Sequence, residues 1–287
     1  MGDARSITIR PFAFEFPDDL DPDWIPGDIY RAHFFNGVSL TMPYLEPYLI
    51  KTNMEARARI ADPALLEDIR GFNGQESRHY ECHRRLNEVL KKNGYPEFAD
   101  IEARLERSYA RLSKRSLRTR LAYSAGFETM TQGFTEWLIA KRTELLKDAN
   151  PILASFWIMH MVEEAEHKTV AFDVYMACSG AYLPRALGVF HGSFHVLGFG
   201  VIGMLTALKK DGLLWSPRGL YGVARQLGSV AWNVGPALLR ALLPWHNPRQ
   251  VKDPDWMHEW VRGYATHPEG KLLPLIDTQS PTMPVPF

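Results

Sequence analysis

Apolar residues recur every three or four positions over most of the first 180 residues, a spacing typical of helices with one buried face. The pattern predicts helices over about 28–59, 62–93, 117–147 and 151–178. Alternating β-branched runs, which would indicate strands, are nearly absent. A polar, partly helical connection at 95–114 separates the second helix from the third, as in four-helix bundles with a crossover. The sequence therefore predicts an all-α fold.

The chain before position 180 divides into an arm and a bundle. Residues 1–27 are rich in Pro and Asp and are expected to be extended, whereas residues 28–180 carry the four helices. Pro43 and Pro47 should kink the first helix, because proline removes a backbone hydrogen bond. Asp62 precedes a proline and is a good N-cap for the second helix.

The third segment, 181–287, is more apolar. Residues 186–208 contain no Lys, Arg, Asp or Glu and reach the length that spans a bilayer, although five glycines and two histidines weaken that interpretation. Residues 217–244 are amphipathic. A buried or dimer-interface helix pair is the favoured interpretation of 186–244, and membrane-surface contact or a true span are the alternatives. We therefore expect apolar C-terminal helices and a homo-oligomer.

The overall charge is balanced, with 33 Lys and Arg against 33 Asp and Glu. No global field would recruit nucleic acid, so we expect no nucleic-acid partner. The only cysteines, Cys82 and Cys178, have no metal-ligand spacing, which fits a reducing compartment. The N-terminus lacks the pattern of a signal peptide. A cytoplasmic protein is expected, with membrane association through the C-terminal segment left open.

Two Glu-x-x-His motifs lie on the predicted inner faces of the second and fourth helices. They are Glu76 with His79 and Glu164 with His167. A spacing of three places both side chains on one face, close enough to bind one metal ion. Burial of unpaired charges is costly, so these residues need compensation if they lie in the core.

The first and third helices each add one carboxylate to their inner face, Glu46 and Glu128. One Glu from each of two helices and a Glu-x-x-His from each of the other two form the ligand set of ferritin-like di-iron and di-manganese proteins. Four carboxylates neutralise two divalent cations, which would explain buried charge. The sequence therefore predicts a ferritin-like four-helix bundle that binds two divalent metal ions.

Four further residues extend this constellation. His83 and His160 follow the same stripes and are either additional ligands or groups that hydrogen-bond to the ligands; both interpretations stay open. Gln75 and Glu163 each precede a motif glutamate. Either could accept the hydrogen bond that a metal-bound imidazole donates from its other nitrogen.

On these residues the chain resembles a bacterial family described as predicted metal-dependent hydrolases and grouped with ferritin-like proteins. The resemblance covers roughly residues 30–180, in the segments HFFNGVSLTMPYLEPYL, DPALLEDIRGFNGQESRHYECHRRLNEVL and WIMHMVEEAEHKTVAFDVY. It implies that the family's conserved positions fall on Glu46, Gln75, Glu76, His79, His83, His160, Glu163, Glu164 and His167. The chain departs from the family at MPYLE, where FPxGE is usual, and at Thr129, where a histidine usually follows the third-helix glutamate.

Three functions compete at the level of sequence. An O₂-dependent oxidase or oxygenase with two irons, acting on a small apolar substrate, is favoured because the stripes around the ligands are apolar and aromatic. Glu76 and Glu164 are its predicted catalytic residues, and Mn or Zn are alternatives to Fe. The runner-up is a hydrolase with a metal-bridged water. The third is a non-catalytic metal-binding or assembly protein.

Overall fold

The structure, a computed structural model, describes residues 7–10, 12–268 and 271–285 of the chain. Regular structure in these residues is helical and includes no strand. The predicted all-α fold is therefore confirmed, and its ferritin-like assignment stays a prediction. The helices in chain order are α1 (Ile29–Ser39), α2 (Met42–Ala56), α3 (Pro63–Lys92), α4 (Phe98–Leu112), α5 (Leu117–Ala140), α6 (Arg142–Leu145), α7 (Pro151–His167), α8 (Val170–Cys178), α9 (Tyr182–Lys210), α10 (Pro217–Ala241) and α11 (Asp255–Ala265).

The first predicted helix is two helices, α1 and α2, with a break at Leu40 and Thr41. The break precedes Pro43, which occupies the first turn of α2, where a missing N–H costs little. Pro47 lies inside α2. The second predicted helix is α3, and Asp62 caps it by accepting a hydrogen bond from the backbone N–H of Ala64 at 2.9 Å.

The other two predicted helices are also subdivided. The third consists of α5 and the single turn α6, and the fourth is divided into α7 and α8 just after His167. α2 packs on α3, while α5 packs on α7 and α8, so these helices surround a common interior. The long connection between α3 and α5 contains α4, whose apolar face is buried.

The arm that precedes α1 closes this interior. Over residues 7–10 and 12–27 it contains no helix, yet Phe12, Phe14 and Trp24 are buried. The ring of Phe12 lies 4.8 Å from the ring of His79, centroid to centroid. The arm is thus a wall of the core. Residues 1–6 and 11, which also belong to the predicted arm, lie outside the described residues.

α9 packs against α1 and α5. Its glycines allow close approach, because a Cβ at Gly188 would meet the carbonyl oxygen of Ala122 at 2.0 Å. Among the described residues, those of α9 form the one helix long and apolar enough to cross a membrane, judged by length and composition. About half of that apolar window, 44%, is buried against the protein. The division of the chain into an arm, a bundle and a C-terminal segment, at positions 27 and 180, stays a prediction.

Candidate metal centre

Six side chains that the sequence singles out as metal ligands meet in the interior between α2, α3, α5 and α7. Each is at most 4% exposed. They are Glu46, Glu76, His79, Glu128, Glu164 and His167. The helical periodicity explains the convergence, because each residue continues the apolar stripe that its helix turns toward the core.

The ligand atoms of these residues form overlapping groups in which all atoms lie within 4.8 Å of one another. One group contains Glu76, Glu128, Glu164 and His167. Another contains Glu46, Glu76 and His79, and a third contains His79, His160 and Glu164. Glu76 and Glu164 each belong to two groups, so they lie where two neighbouring cations could share them.

Several of the buried atoms have no hydrogen-bond partner among the described residues. They are both carboxylate oxygens of Glu46 and of Glu76, Oε1 of Glu128 and Nδ1 of His79. The closest carboxylate oxygen to His79 Nδ1 is Oε1 of Glu164 at 3.6 Å, beyond hydrogen-bond distance. Buried polar atoms are normally paired. This set of oxygen and nitrogen donors fits divalent cations such as Fe, Mn or Zn.

Burial raises the pKa of Glu46, Glu76 and Glu128 well above the usual carboxyl range, and the charge of Glu164 raises it further. Burial acts in the same direction on Glu164, but the facing imidazoles, that of His167 above all, hold its pKa well below the usual range. Without a metal, the raised pKa values favour the protonated form of Glu46, Glu76 and Glu128, whereas the lowered pKa of Glu164 keeps it ionised.

His79 is held by a hydrogen bond on the side away from the cluster. Its Nε2–H donates to Oε2 of Glu163 at 2.7 Å. Burial alone would lower the pKa of His79, but this hydrogen bond and the nearby carboxylates raise it to about 10. Glu163 in turn accepts from the guanidinium of Arg10 at 3.2 Å. The nitrogen left for a metal is Nδ1, the unpaired atom.

His167 is held in the same manner by Gln75. Its Nδ1–H donates to the side-chain oxygen of Gln75 at 2.9 Å. The Gln75 amide donates to Glu166 at 2.7 Å and to the carbonyl of Thr8 at 3.0 Å, so its orientation is fixed. Nε2 of His167 therefore faces the carboxylates, 3.1 Å from Oε2 of Glu164.

His83 and His160 form a relay whose direction Asn87 determines. The Asn87 amide donates to the carbonyl of Ser39, so its oxygen accepts from the Ser39 hydroxyl at 2.7 Å. Ser39 Oγ then accepts from Nδ1–H of His83 at 2.8 Å, and His83 Nε2 accepts from Nδ1–H of His160 at 3.0 Å. The lone pair on Nε2 of His160 consequently faces Oε1 of Glu164 at 2.9 Å.

Two facing lone pairs require a cation or a proton between them. Burial lowers the pKa of His160 to about 4, so the ring is neutral at pH 7. Ligand atoms of Glu46, His83 and His160 also lie within 4.8 Å of one another, but both nitrogens of His83 are engaged in the relay. The hydrogen bonds thus favour His160 as a ligand and His83 as the group that orients it.

The comparison with protein families gives a match that runs from residue 8 to residue 252, to the model described as predicted metal-dependent hydrolase. The chain belongs to the predicted metal-dependent hydrolase family. No curated protein and no solved structure matches it. The match includes the arm from residue 8, the cluster and the helices α9 and α10, whereas α11 lies beyond it.

A cavity of about 280 Å³ lies between α5, the C-terminal end of α7 and residues 251–254. On α5 it begins at Gln132 and Thr135, one and two turns beyond Glu128, and on the other side it is lined by Lys168. Lys168 Nζ donates to both oxygens of Asp253 at 2.6 Å. The sequence predicts apolar and aromatic surroundings for the metal ligands, but the walls of this cavity also include polar and charged side chains.

Sequence analysis of this hydrolase-family chain does not identify four residues that support the cluster: Arg10, Ser39, Asn87 and Glu166. Asn87 continues the stripe of His79 and His83 by one turn, so the helical pattern could have found it. Glu166 lies within EEAEH, beside residues already selected. Arg10 had no signal, because its position depends on the path of the irregular arm.

Proposed function

We propose that the chain is a metal-dependent hydrolase whose Glu and His cluster holds two divalent cations. The proposal rests on the buried carboxyl groups of Glu46, Glu76 and Glu128, which have oxygens that accept no hydrogen bond from the described residues and are therefore free to bind cations. Membership of a family described as predicted metal-dependent hydrolases supports hydrolysis over the oxidation that the stripe pattern alone favoured.

In this proposal each ligand has a defined place. Glu128 and His167 would hold one cation, and Glu46, His79 and His160 would hold the other. Glu76 and Glu164 would serve both, since each has ligand atoms in groups on either side. When bound, two divalent cations would supply Lewis acidity to activate water. Iron, manganese and zinc all accept this mixture of carboxylate and imidazole.

The surrounding residues fix the ligands and the substrate. Glu163 and Gln75 keep the correct imidazole nitrogen toward the cluster by holding the other one. The cavity that Thr135, Ala165 and Lys168 line would hold part of the substrate. The ammonium group of Lys168 is paired with Asp253, so this ion pair would contact the substrate there.

Oxidation of an apolar substrate is the second candidate. It is favoured by the aromatic rings that pack on the histidines, since Phe12 lies 4.8 Å from His79 and Phe72 lies 4.5 Å from His167. Aromatic walls of this kind exclude water from the metal centre and suit a redox-active metal that acts on an apolar substrate.

The two candidates differ in their need for O₂. We would load the metal-free protein with Zn, Mn or ferrous iron under argon and screen chromogenic esters, phosphoesters and anilides. Hydrolysis predicts turnover without O₂ that disappears on chelation and in Glu164→Gln. Oxidation would be favoured instead if the protein cleaved none of them and the reduced iron form consumed O₂ faster than free ferrous iron. Glu106→Gln, on the exposed face of α4, is the control.

A further inference from the structure

α9 exposes large apolar side chains on one side, although Val189, Val196, Met204 and Leu208 are buried. Small residues face the bundle, where the helix approaches α1 and α5 at backbone distance: Gly188, Gly192, Gly200, Gly203 and Ala207. Large apolar residues face outward and are between 48% and 67% exposed: Leu183, Leu187, Phe190 and Phe194. Helices in water normally turn their large apolar residues inward. Small residues at the contact and large ones outside are typical of helices that touch lipid.

Hydrogen bonds fix the start of α9 to the residues that follow α10. The hydroxyl of Tyr182 donates to the carbonyl of Leu242 at 2.7 Å, and Arg185 donates to the carbonyls of Ala241 and Leu243. We define the apolar face as Leu183, Leu187, Phe190 and Phe194, whose spacing places them on one side of α9. So many adjacent exposed apolar side chains are unusual on a soluble monomer.

Exposed tryptophans flank the same helices. Trp215 precedes α10, Trp232 lies within it and Trp245 follows it, and they are 76%, 82% and 69% exposed. Tryptophan is enriched at the boundary between lipid and water, because its ring is apolar and its N–H is polar. Three such side chains on one segment favour a lipid interface as the partner.

The charge of this segment is also distinctive. Residues 181–252 contain eight Lys and Arg and a single acidic residue, Asp211, in a chain whose total charge is zero. Four of the eight pair with carboxylates: Lys210, Arg225, Arg240 and Arg249. Beside the apolar face, Arg118 of α5 is exposed, forms no ion pair with a described residue and lines a surface cavity with Leu187 and Phe190. Juxtaposed basic and apolar residues are attracted to anionic lipid surfaces.

We propose that the apolar face docks the protein onto the surface of an anionic lipid bilayer, with α9 lying along the interface. A span is disfavoured, because lipid cannot surround a helix whose glycines contact α1 and α5. Pairing of two copies through this face is disfavoured, since a two-fold contact would bring two basic segments together. This proposal does not depend on the reaction at the metal centre.

Sedimentation with vesicles tests the proposal on the full-length protein. Vesicles of pure phosphatidylcholine are compared with an equal mixture of phosphatidylcholine and phosphatidylglycerol, at low and high salt. The double variant Leu187→Ser, Phe194→Ser makes the face polar. The control Met54→Ser, Leu272→Ser changes two apolar residues outside the face that are also exposed, by 51% and 58% against 60% and 67% for Leu187 and Phe194. Melting temperatures show that all three proteins are folded.

We expect the wild-type protein to sediment with the mixed vesicles and less with pure phosphatidylcholine or at high salt. The face variant should bind at least tenfold more weakly, and the control should bind as the wild type does. The proposal would be overturned by a wild type that binds neither vesicle, or by a face variant that binds like the control. A dimer in light scattering that only the face variant abolishes, without vesicle binding, would assign the face to self-association instead.

Discussion

Nη1 of Arg10 donates a hydrogen bond to Oε1 of Glu163 at 3.2 Å, although the two residues are 153 positions apart. Both are buried, and Glu163 also accepts the hydrogen bond that orients His79. The guanidinium of Arg10 lies 5.3 Å from the ring of Tyr264 on α11. The arm therefore connects the candidate metal centre to the C-terminal part of the chain.

Replacement of Arg10 by Met should weaken metal binding without removing a ligand. Glu163 would lose its positive partner, and the ring of His79 would be less well fixed. Loss of such an outer contact typically lowers metal affinity by about 10- to 100-fold. Titration of the metal-free protein with Zn would measure the change. Arg70→Met, which removes an exposed pair with Glu67, is the matched control, and equal affinities in the two variants would contradict the role of Arg10.

Metal binding should release protons and should strengthen as the pH rises. The raised pKa values of Glu46, Glu76 and Glu128 keep protons on the metal-free cluster, and metal binding needs the deprotonated groups. Calorimetry in buffers of different ionisation enthalpy would count the protons. Binding that releases none between pH 6 and 8 would contradict this arrangement.

The same pKa values predict how the stability of the metal-free protein depends on pH. Above the ordinary carboxyl pKa of 4.5, the folded chain holds more protons on these groups than the unfolded chain does. Its free energy of unfolding should therefore fall as the pH rises from that value toward the raised pKa values. Glu164, whose pKa is lowered, contributes no slope in this range, because its stabilisation is lost only as the pH falls below 4.5. Urea denaturation of the metal-free protein across this range would reveal the sign of the slope.

Glu46→Gln should separate stability from metal binding. Both oxygens of Glu46 are buried and lack a hydrogen-bond partner, and burial disfavours the ionised form of the side chain. A glutamine has nearly the same size and no charge, so it removes this cost from the metal-free protein. We expect its melting temperature without metal to equal or exceed that of the wild type. Metal at a thousand times its Kd stabilises a protein by about 4 kcal/mol, and the variant should lose most of this increase. A metal-induced shift as large as that of the wild type would contradict the role of Glu46.

Two glycines of α9 should respond oppositely to the same change. A Cβ at Gly188 would meet the Ala122 carbonyl oxygen at 2.0 Å, so Gly188→Ala must separate α9 from α5 and should cost about 1–3 kcal/mol or more. Gly198 has nothing within 4 Å of a built Cβ, so Gly198→Ala should add up to about 1 kcal/mol through helix propensity. Chemical denaturation measures both. Equal effects would show that α9 does not pack closely on α5.

The helices could be predicted from the sequence because their signals are local. Asp62 and the periodic apolar residues after it define α3 almost to the residue. The breaks within the predicted helices were harder to predict from the sequence. The residues at the two breaks, Leu40 and Thr41 and then Lys168 and Thr169, include no proline or glycine. There the packing of neighbouring helices, rather than local preference, decides where the helix stops.

The inner faces of the helices likewise indicated which residues meet at the cluster, since periodicity alone orients a side chain. Periodicity could not indicate contacts made by irregular segments. Arg10 lies in the irregular arm, and Asp253, which pairs with Lys168, lies in the irregular segment before α11. Lys168 lies one position beyond His167 and thus off the stripe. For this reason the stripe pattern favoured an apolar oxidative site and missed the charged wall of the cavity.

The metal content of the purified protein tests whether the Glu and His cluster binds two divalent cations. The protein would be purified, freed of loosely bound ions and analysed by inductively coupled plasma mass spectrometry beside Glu76→Gln and the control Glu106→Gln. We expect two divalent ions per chain in the wild type and control, and a clear loss in Glu76→Gln, because its carboxylate is proposed to serve both cations. A wild type that holds no stoichiometric metal after incubation with Fe, Mn and Zn, or a Glu76→Gln variant with full occupancy, would contradict it.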